Sequence, residues 1–250
     1  MYTGQIMIKF FMIRIKGRTS QLTPTTTTET ASPCKITKGN GISMKDIEIN
    51  ELLSLVYHYY PKRCAFESRE YQTSSEYSRY LSTVMDLTKR TEIDKMIFPH
   101  IAECATGYNV LLREHSNYEN YPCIEYSVLL HKNHLILDDD VDLILSLGGK
   151  RLDLELSFSL LGNYFYYILN ETVGGKDTLA WSFSVLTDEQ LPHEEKMLIK
   201  VLCSKAVSLG FKLLSSNLAH TVVPEVATEC INSGEATIYN CLFTDMKTHY

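Results

Sequence analysis

The chain has 250 residues, enough for one large domain or two small ones, and its hydrophobic fraction of 44% and charged fraction of 22% are those of an ordinary globular protein. Residues 1 to 43 hold six Lys or Arg against one Glu, a net of +5; the whole chain carries −6, so residues 44 to 250 carry −11. An acidic body excludes the basic footprint that nucleic-acid binding needs and suits a basic protein partner, whose encounter it would steer; simple solubility is the plainer account of the same charge.

In chain order, the first segment is a leader. Its apolar start is broken by Lys9, Arg14 and Lys16, leaving Phe10 to Ile13 as the longest uninterrupted apolar piece, too short for a secretory signal. Thr23 to Thr30 is a Thr-rich tract with Pro24 near its start and Pro33 just beyond it. It lacks the apolar side chains that offset ordering entropy, so residues 1–43 are expected to be disordered. Met44 is expected to start the folded unit, a single domain over 44–250.

Helical patterns follow. Ile47, Ile49, Leu52, Leu53, Val56 and Tyr57 form an apolar stripe from Ser43 to about Tyr59, stopped by Pro61. Thr73 with Glu76 is a capping-box pattern opening a second helix to about Lys89. A third covers Glu92 to Cys104, interrupted by Pro99. The composition then changes: Tyr108 to Arg113, Cys123 to His131 and Val141 to Leu147 read as strands.

The strongest pattern spans about 151–186. Leu152, Leu154, Leu156, Phe158 and Leu160 alternate with Asp153, Glu155, Ser157 and Ser159, the period of a strand with one buried face. Gly162-Asn163 reads as a two-residue hairpin turn, which sets Leu160 opposite Phe165, Phe158 opposite Tyr167 and Leu156 opposite Leu169. Gly174-Gly175 turns the chain into Trp181, Phe183 and Val185, alternating with Ala180, Ser182 and Ser184. Three strands thus form a meander with one apolar face. Thr187 and Gln190 open a long helix over about 187–209, stopped by Gly210. Phe211 to Leu214 reads as a short strand and Ala236 to Asp245 as a final one. The fold class is α+β, a mainly antiparallel sheet with N-terminal helices and one long helix packed on it.

No catalytic motif emerges. Asp138, Asp139, Asp140 and Asp142 are the densest acidic cluster, but Leu143 and Gly149 stand where a calcium loop needs Gly and Glu; a solvated turn is the simpler reading. His131 and His134, and His100 and Cys104, are pairs without further ligands at zinc-like spacing. Gly148-Gly149-Lys150 and Gly174-Gly175-Lys176 lack the rest of a phosphate loop. Ser157 and Ser159 have no nucleophile elbow around them. Seven cysteines without a C-x-x-C suit free thiols in a reducing cytosol. The longest uncharged run in the meander, Leu156 to Asn170, has 15 residues, short of the roughly 18 a spanning helix needs. No cofactor, metal, nucleic acid or membrane is therefore expected, and the expected location is cytoplasmic.

The sixteen tyrosines point elsewhere. Alternation places Tyr164 and Tyr166 on the face shared by Asp153, Glu155, Ser157 and Ser159. A Tyr-rich acidic face is suited to gripping a protein, with Tyr164 and Tyr166 as anchors and Asp153 and Glu155 as charges beside them. The alternative is that a helix covers this face and the tyrosines are simply packed.

Several segments together resemble a family. Tyr59-Tyr60-Pro61-Lys62 is followed by Tyr71 and Glu76-Tyr77. Ser159-Leu160-Leu161-Gly162 leads into Tyr164-Phe165-Tyr166. Val223-Pro224-Glu225 precedes Gly234 to Asp245. From about Met44 to Asp245 the chain looks like the immunity proteins of bacterial polymorphic-toxin systems; the Thr-rich leader departs from that pattern. The resemblance implies a non-catalytic cytosolic inhibitor that neutralises a cognate toxin domain by direct contact. Two other classes stay open: a small-molecule enzyme with a site near 131–142, and a cytosolic adaptor.

Overall fold

The structure, a computed structural model, describes residues 49–114, 121–133, 141–175 and 178–245. They belong to one compact unit, Asp46–Tyr250. The Thr-rich leader, Met44, His134 and Asp138 to Asp140 lie outside the described residues.

The fold is α+β. Helix α1, Ile49–Tyr59, turns Leu52 and Val56 inward. Two short helices follow, α2 at Arg69–Gln72 and α3 at Ser75–Val84. The cap of α3 is Ser74 rather than Thr73: its Oγ accepts from the Tyr77 N–H at 3.1 Å. Nor does this helix continue to Lys89. Asp86 accepts from the Thr88 and Lys89 N–H groups and opens a new helix, α4, at Leu87–Gly107. This helix runs unbroken through Pro99, so the boundary comes earlier, and the end later, than sequence suggests.

Strands β1 (Leu111–Glu114), β2 (Cys123–Leu129), β3 (Lys150–Ser159), β4 (Tyr164–Gly175) and β5 (Thr178–Val185) lie in sequence order, all antiparallel. A sixth strand, β6 at Lys212–Leu213, pairs parallel with the first residues of β4, beside the edge whose other half β5 occupies. The segment expected as a strand at Val141 to Leu147 is instead helix α5, Val141–Ser146. Leu143 and Ile144 are both buried while Asp142 is exposed, consecutive burial that a helix turn allows and a half-buried strand does not. Between β5 and helix α6, His193–Ser208, the Thr187–Gln190 capping box forms only a 3-10 turn; Pro192 then starts α6. The expected single helix is therefore split. Gly210, at φ +93°, ends it. Short helix α7 spans Ser216–Ala219.

The expected final strand is also a helix, α8 at Ile238–Leu242, opened by a Thr237–Asn240 capping box. All five of its residues are buried. A segment packed on every side carries no period, so its β-branched and aromatic residues misled.

The meander exists, but its register differs. Phe158 pairs with Phe165, Leu156 with Tyr167 and Leu154 with Leu169. The turn is thus four residues, Leu160 to Asn163, instead of two. The cause is tertiary. Helix α1 lies so close that a Cβ on Gly162 would sit 2.7 Å from Leu55 Cδ2, and the Leu160 N–H donates to the Pro122 carbonyl. The slip is an even number of residues, so every side chain keeps its face.

Helices α4 and α6 cover one face. Ile97, Ile101, Leu198 and Leu202 meet Leu154, Leu156, Phe158 and Phe165 there. Phe158 stacks on Phe165 at 5.6 Å and meets Tyr126 and Phe211 edge-on at 5.8 and 5.0 Å. A second core, built from α1, α8 and the loops before it, packs around Tyr164 and Ile168, whose positions alternate with those of Phe165 and Leu169. One expectation fails at the edge: Phe183 and Val185 of β5 pair with Thr172 and Asn170. They therefore lie on the face opposite Phe158, and they are 78% and 47% exposed.

Candidate functional site

The polar positions of β3 meet defined neighbours in register. One row across the sheet is Glu125, Ser157 and Tyr166; the next is Ser127, Glu155 and Ile168; a third is Leu129, Asp153, Asn170 and Val185. All these side chains point away from the Phe158 core, because positions two apart on a strand share a face. This face changes along the strands. At the Tyr164 end it is closed by α1 and α8. In the middle Glu125, Glu155, Tyr166 and Asn170 are half-buried.

Of the four residues singled out from sequence, two are closed off. Tyr164 is 4% exposed, and its hydroxyl donates to Glu51 Oε1 at 2.8 Å, an oxygen that also receives Lys212 Nζ at 2.8 Å. The two donors hold the Glu51 carboxyl below its usual range. Asp153 is buried, with Arg151 Nε 2.7 Å from its Oδ2. Neither Tyr164 as an anchor nor Asp153 as a free charge survives. Tyr164 follows the packed alternative, because α1 covers its end of the sheet. Tyr166 and Glu155 stay half-open. The Tyr166 ring meets Tyr239 at 5.3 Å, Phe243 at 6.2 Å and His220 at 6.4 Å, so it is propped by α8 with part of its surface accessible.

The residue that sequence reasoning missed is Glu125. Burial pushes its carboxyl up to about 7, and the negative charge of Glu155 adds to the rise; hydrogen bonds from Cys123 and Ser157 oppose it. The Ser157 hydroxyl lies 3.4 Å from Glu125 Oε1. Glu155 is raised too, first by burial and then by Asp153, with Asn170 and Arg151 opposing. Two carboxyl groups on neighbouring strands, at diagonal positions, are thus kept reluctant to ionise together. Such a pair can hold a proton near neutral pH, and a cation placed against it favours the ionised form.

Four other polar side chains tie elements together. His131 Nε2 accepts from the Leu152 N–H at 3.0 Å, capping the start of β3. Tyr126 donates to Asp94 at 2.6 Å, tying β2 to α4. Tyr60 and Tyr71 donate to the carbonyls of Cys241 and Ala227, fastening the N-terminal helices to the C-terminal segment. Many of the tyrosines are thus interior struts. Among the described residues, no group of three His, Cys, Asp or Glu is placed to hold a metal ion. Among the same residues no helix is long and apolar enough to cross a membrane.

Compared with protein-family models, curated proteins and solved structures, the chain matches none of them.

Proposed function

We propose that this chain is a non-catalytic binding protein of the immunity type, acting in the bacterial cytosol, which neutralises a basic cognate toxin domain by direct contact. The observation that carries the reading is the half-open acidic face: Glu125 and Glu155 side by side in neighbouring rows, with Tyr166 beside them. A partner's Lys or Arg seated there would relieve the repulsion between the two carboxylates, and Tyr166 supplies rigid aromatic contact area. The acidic balance of residues 44 to 250 favours the same partner chemistry. The test is co-expression with the product of the adjacent reading frame, scored for rescue of growth and for co-purification. Rescue is expected, and Tyr166→Ala with Glu155→Gln is expected to weaken binding by about 2 kcal/mol with the fold intact. A purified chain that binds no toxin-like protein ends the reading.

A second reading, a small-molecule enzyme, rests on the same pair and no longer on residues 131–142. A carboxyl held near 7 beside another acid is the arrangement of many acid–base catalysts. Substrate turnover abolished by Glu125→Gln would select it.

A further inference from the structure

We propose that β5 is the seam of a two-fold homodimer, in which the outer edges of two β5 strands pair antiparallel and join two sheets into one. The Leu186 N–H donates to the Leu169 carbonyl at 2.8 Å. In an antiparallel ladder the bonded positions alternate, so the N–H and C=O groups of Phe183 and Val185 point away from β4. Among the described residues no strand takes them: β5 ends the sheet. The two residues whose backbone groups point outward are also large apolar residues left exposed, Phe183 at 78% and Val185 at 47%.

Around Phe183 and Val185 the edge carries none of the usual protection. Exposed edges are normally blunted by lysine, proline or a bulge. From Thr178 to Leu186 the chain has no charge and no proline. Among the described residues the irregularity of the β4–β5 ladder falls between Val173 and Gly175, away from Phe183 and Val185.

The pattern of β5 itself selects a second copy as the occupant. In a two-fold antiparallel pairing, residues with outward groups must face one another. Centring the seam on Ser184 sets Phe183 of each copy opposite Val185 of the other, an aromatic and β-branched pair made twice. No like charges meet, which matters for a chain of net charge −6. A charged foreign strand would find no opposite charge on β5 to select it, whereas the strand's own pattern is its complement. Glu125 and Glu155 lie on the same face as Phe183 and Val185, but on β2 and β3, with β4 between them and the seam.

The contact is a single strand pair, smaller than a standard interface, so the expected dissociation constant is on the order of 10 μM. Sedimentation equilibrium of the full chain from about 1 to 200 μM brackets that value. Val185→Pro removes an outward donor and leaves the inner ladder bonded; Phe183→Lys sets two cations near the axis. Each is expected to weaken the dimer at least about tenfold with unchanged far-ultraviolet circular dichroism. If Val185→Pro does not fold, Phe183→Lys decides alone. A parent chain still monomeric at the highest concentration overturns the proposal, as does a dimer that the folded variants leave unweakened.

Discussion

The two faces of β3 are made by the same ten residues, and they are held by different physics. On one face Leu154, Leu156 and Phe158 meet α4 and α6. On the other, Asp153 and Ser157 are just as inaccessible, at 7% and 4% exposed, yet they sit among an ion pair, a hydroxyl and two reluctant carboxyls. Burial alone therefore does not separate a core from a site. The apolar face gains free energy from every atom taken out of water. The polar face gains only where each group finds a partner, and burial there raises the Glu125 and Glu155 carboxyls above their usual range. Natural folds tolerate such a surface most readily where function uses it.

The largest expected effect tests the apolar side of this comparison. Phe158 is fully buried among three aromatic rings, so Phe158→Ala should destabilise the fold by about 3 to 5 kcal/mol. Its chain neighbour Ser157, on the other face, makes one long hydrogen bond at 3.4 Å. Ser157→Ala should cost about 1 kcal/mol or less. Urea denaturation of the two variants measures the ratio. Equal losses would mean that the two faces contribute alike.

Next comes the buried ion pair. Arg151 and Asp153 are each only 10% exposed at their side chains. Arg151→Ala leaves an acid in a site that water barely reaches, and a loss of about 2 to 4 kcal/mol is expected at neutral pH. Replacing both residues by methionine should restore most of it, because apolar side chains of similar volume need no partner. If the double variant is as unstable as the single one, the polar face depends on this pair more than its geometry indicates.

Strand alternation was enough to reveal the faces of β3, the meander and the α+β class, because a period of two survives whatever packs above it. The register was not legible. Gly162-Asn163 has the chemistry of a tight turn, and only the approach of Leu55 on α1, more than a hundred residues earlier, shows why the turn is wider. The same limit hid α8, which is buried on all sides and so has no period. For the candidate site, Glu155 and Tyr166 could be placed on their face. Burial of Tyr164 depends on α1 and Glu51, far away in sequence. Glu125 carried a local signal, since it and Ser127 alternate with Ile124, Tyr126 and Val128. Its neighbourhood with Glu155 required the pairing of β2 with β3, which no local pattern encodes.

The smallest expected effect is the one that bears on function. The folded Glu125 carboxyl is raised to about 7, above its unfolded value. Between the two values the native state binds more protons than the unfolded state, so this group favours folding in acid. Its contribution is lost as pH rises through about 7. Glu125→Gln keeps the shape and removes the charge. It should leave stability near that of the parent at pH 5 and raise it at pH 8 by about 1 to 3 kcal/mol. Denaturation at the two pH values, compared between parent and variant, reads the titration of the Glu125–Glu155 pair. The same substitution separates stability from binding. If a partner's cation sits on the pair, the variant is more stable at pH 8 and yet binds more weakly, and the parent releases protons when the complex forms. Calorimetry in two buffers of different ionisation enthalpy detects that release. A variant that gains stability without losing affinity would leave the acidic pair as strain with no use in binding, and would move the contact to another surface.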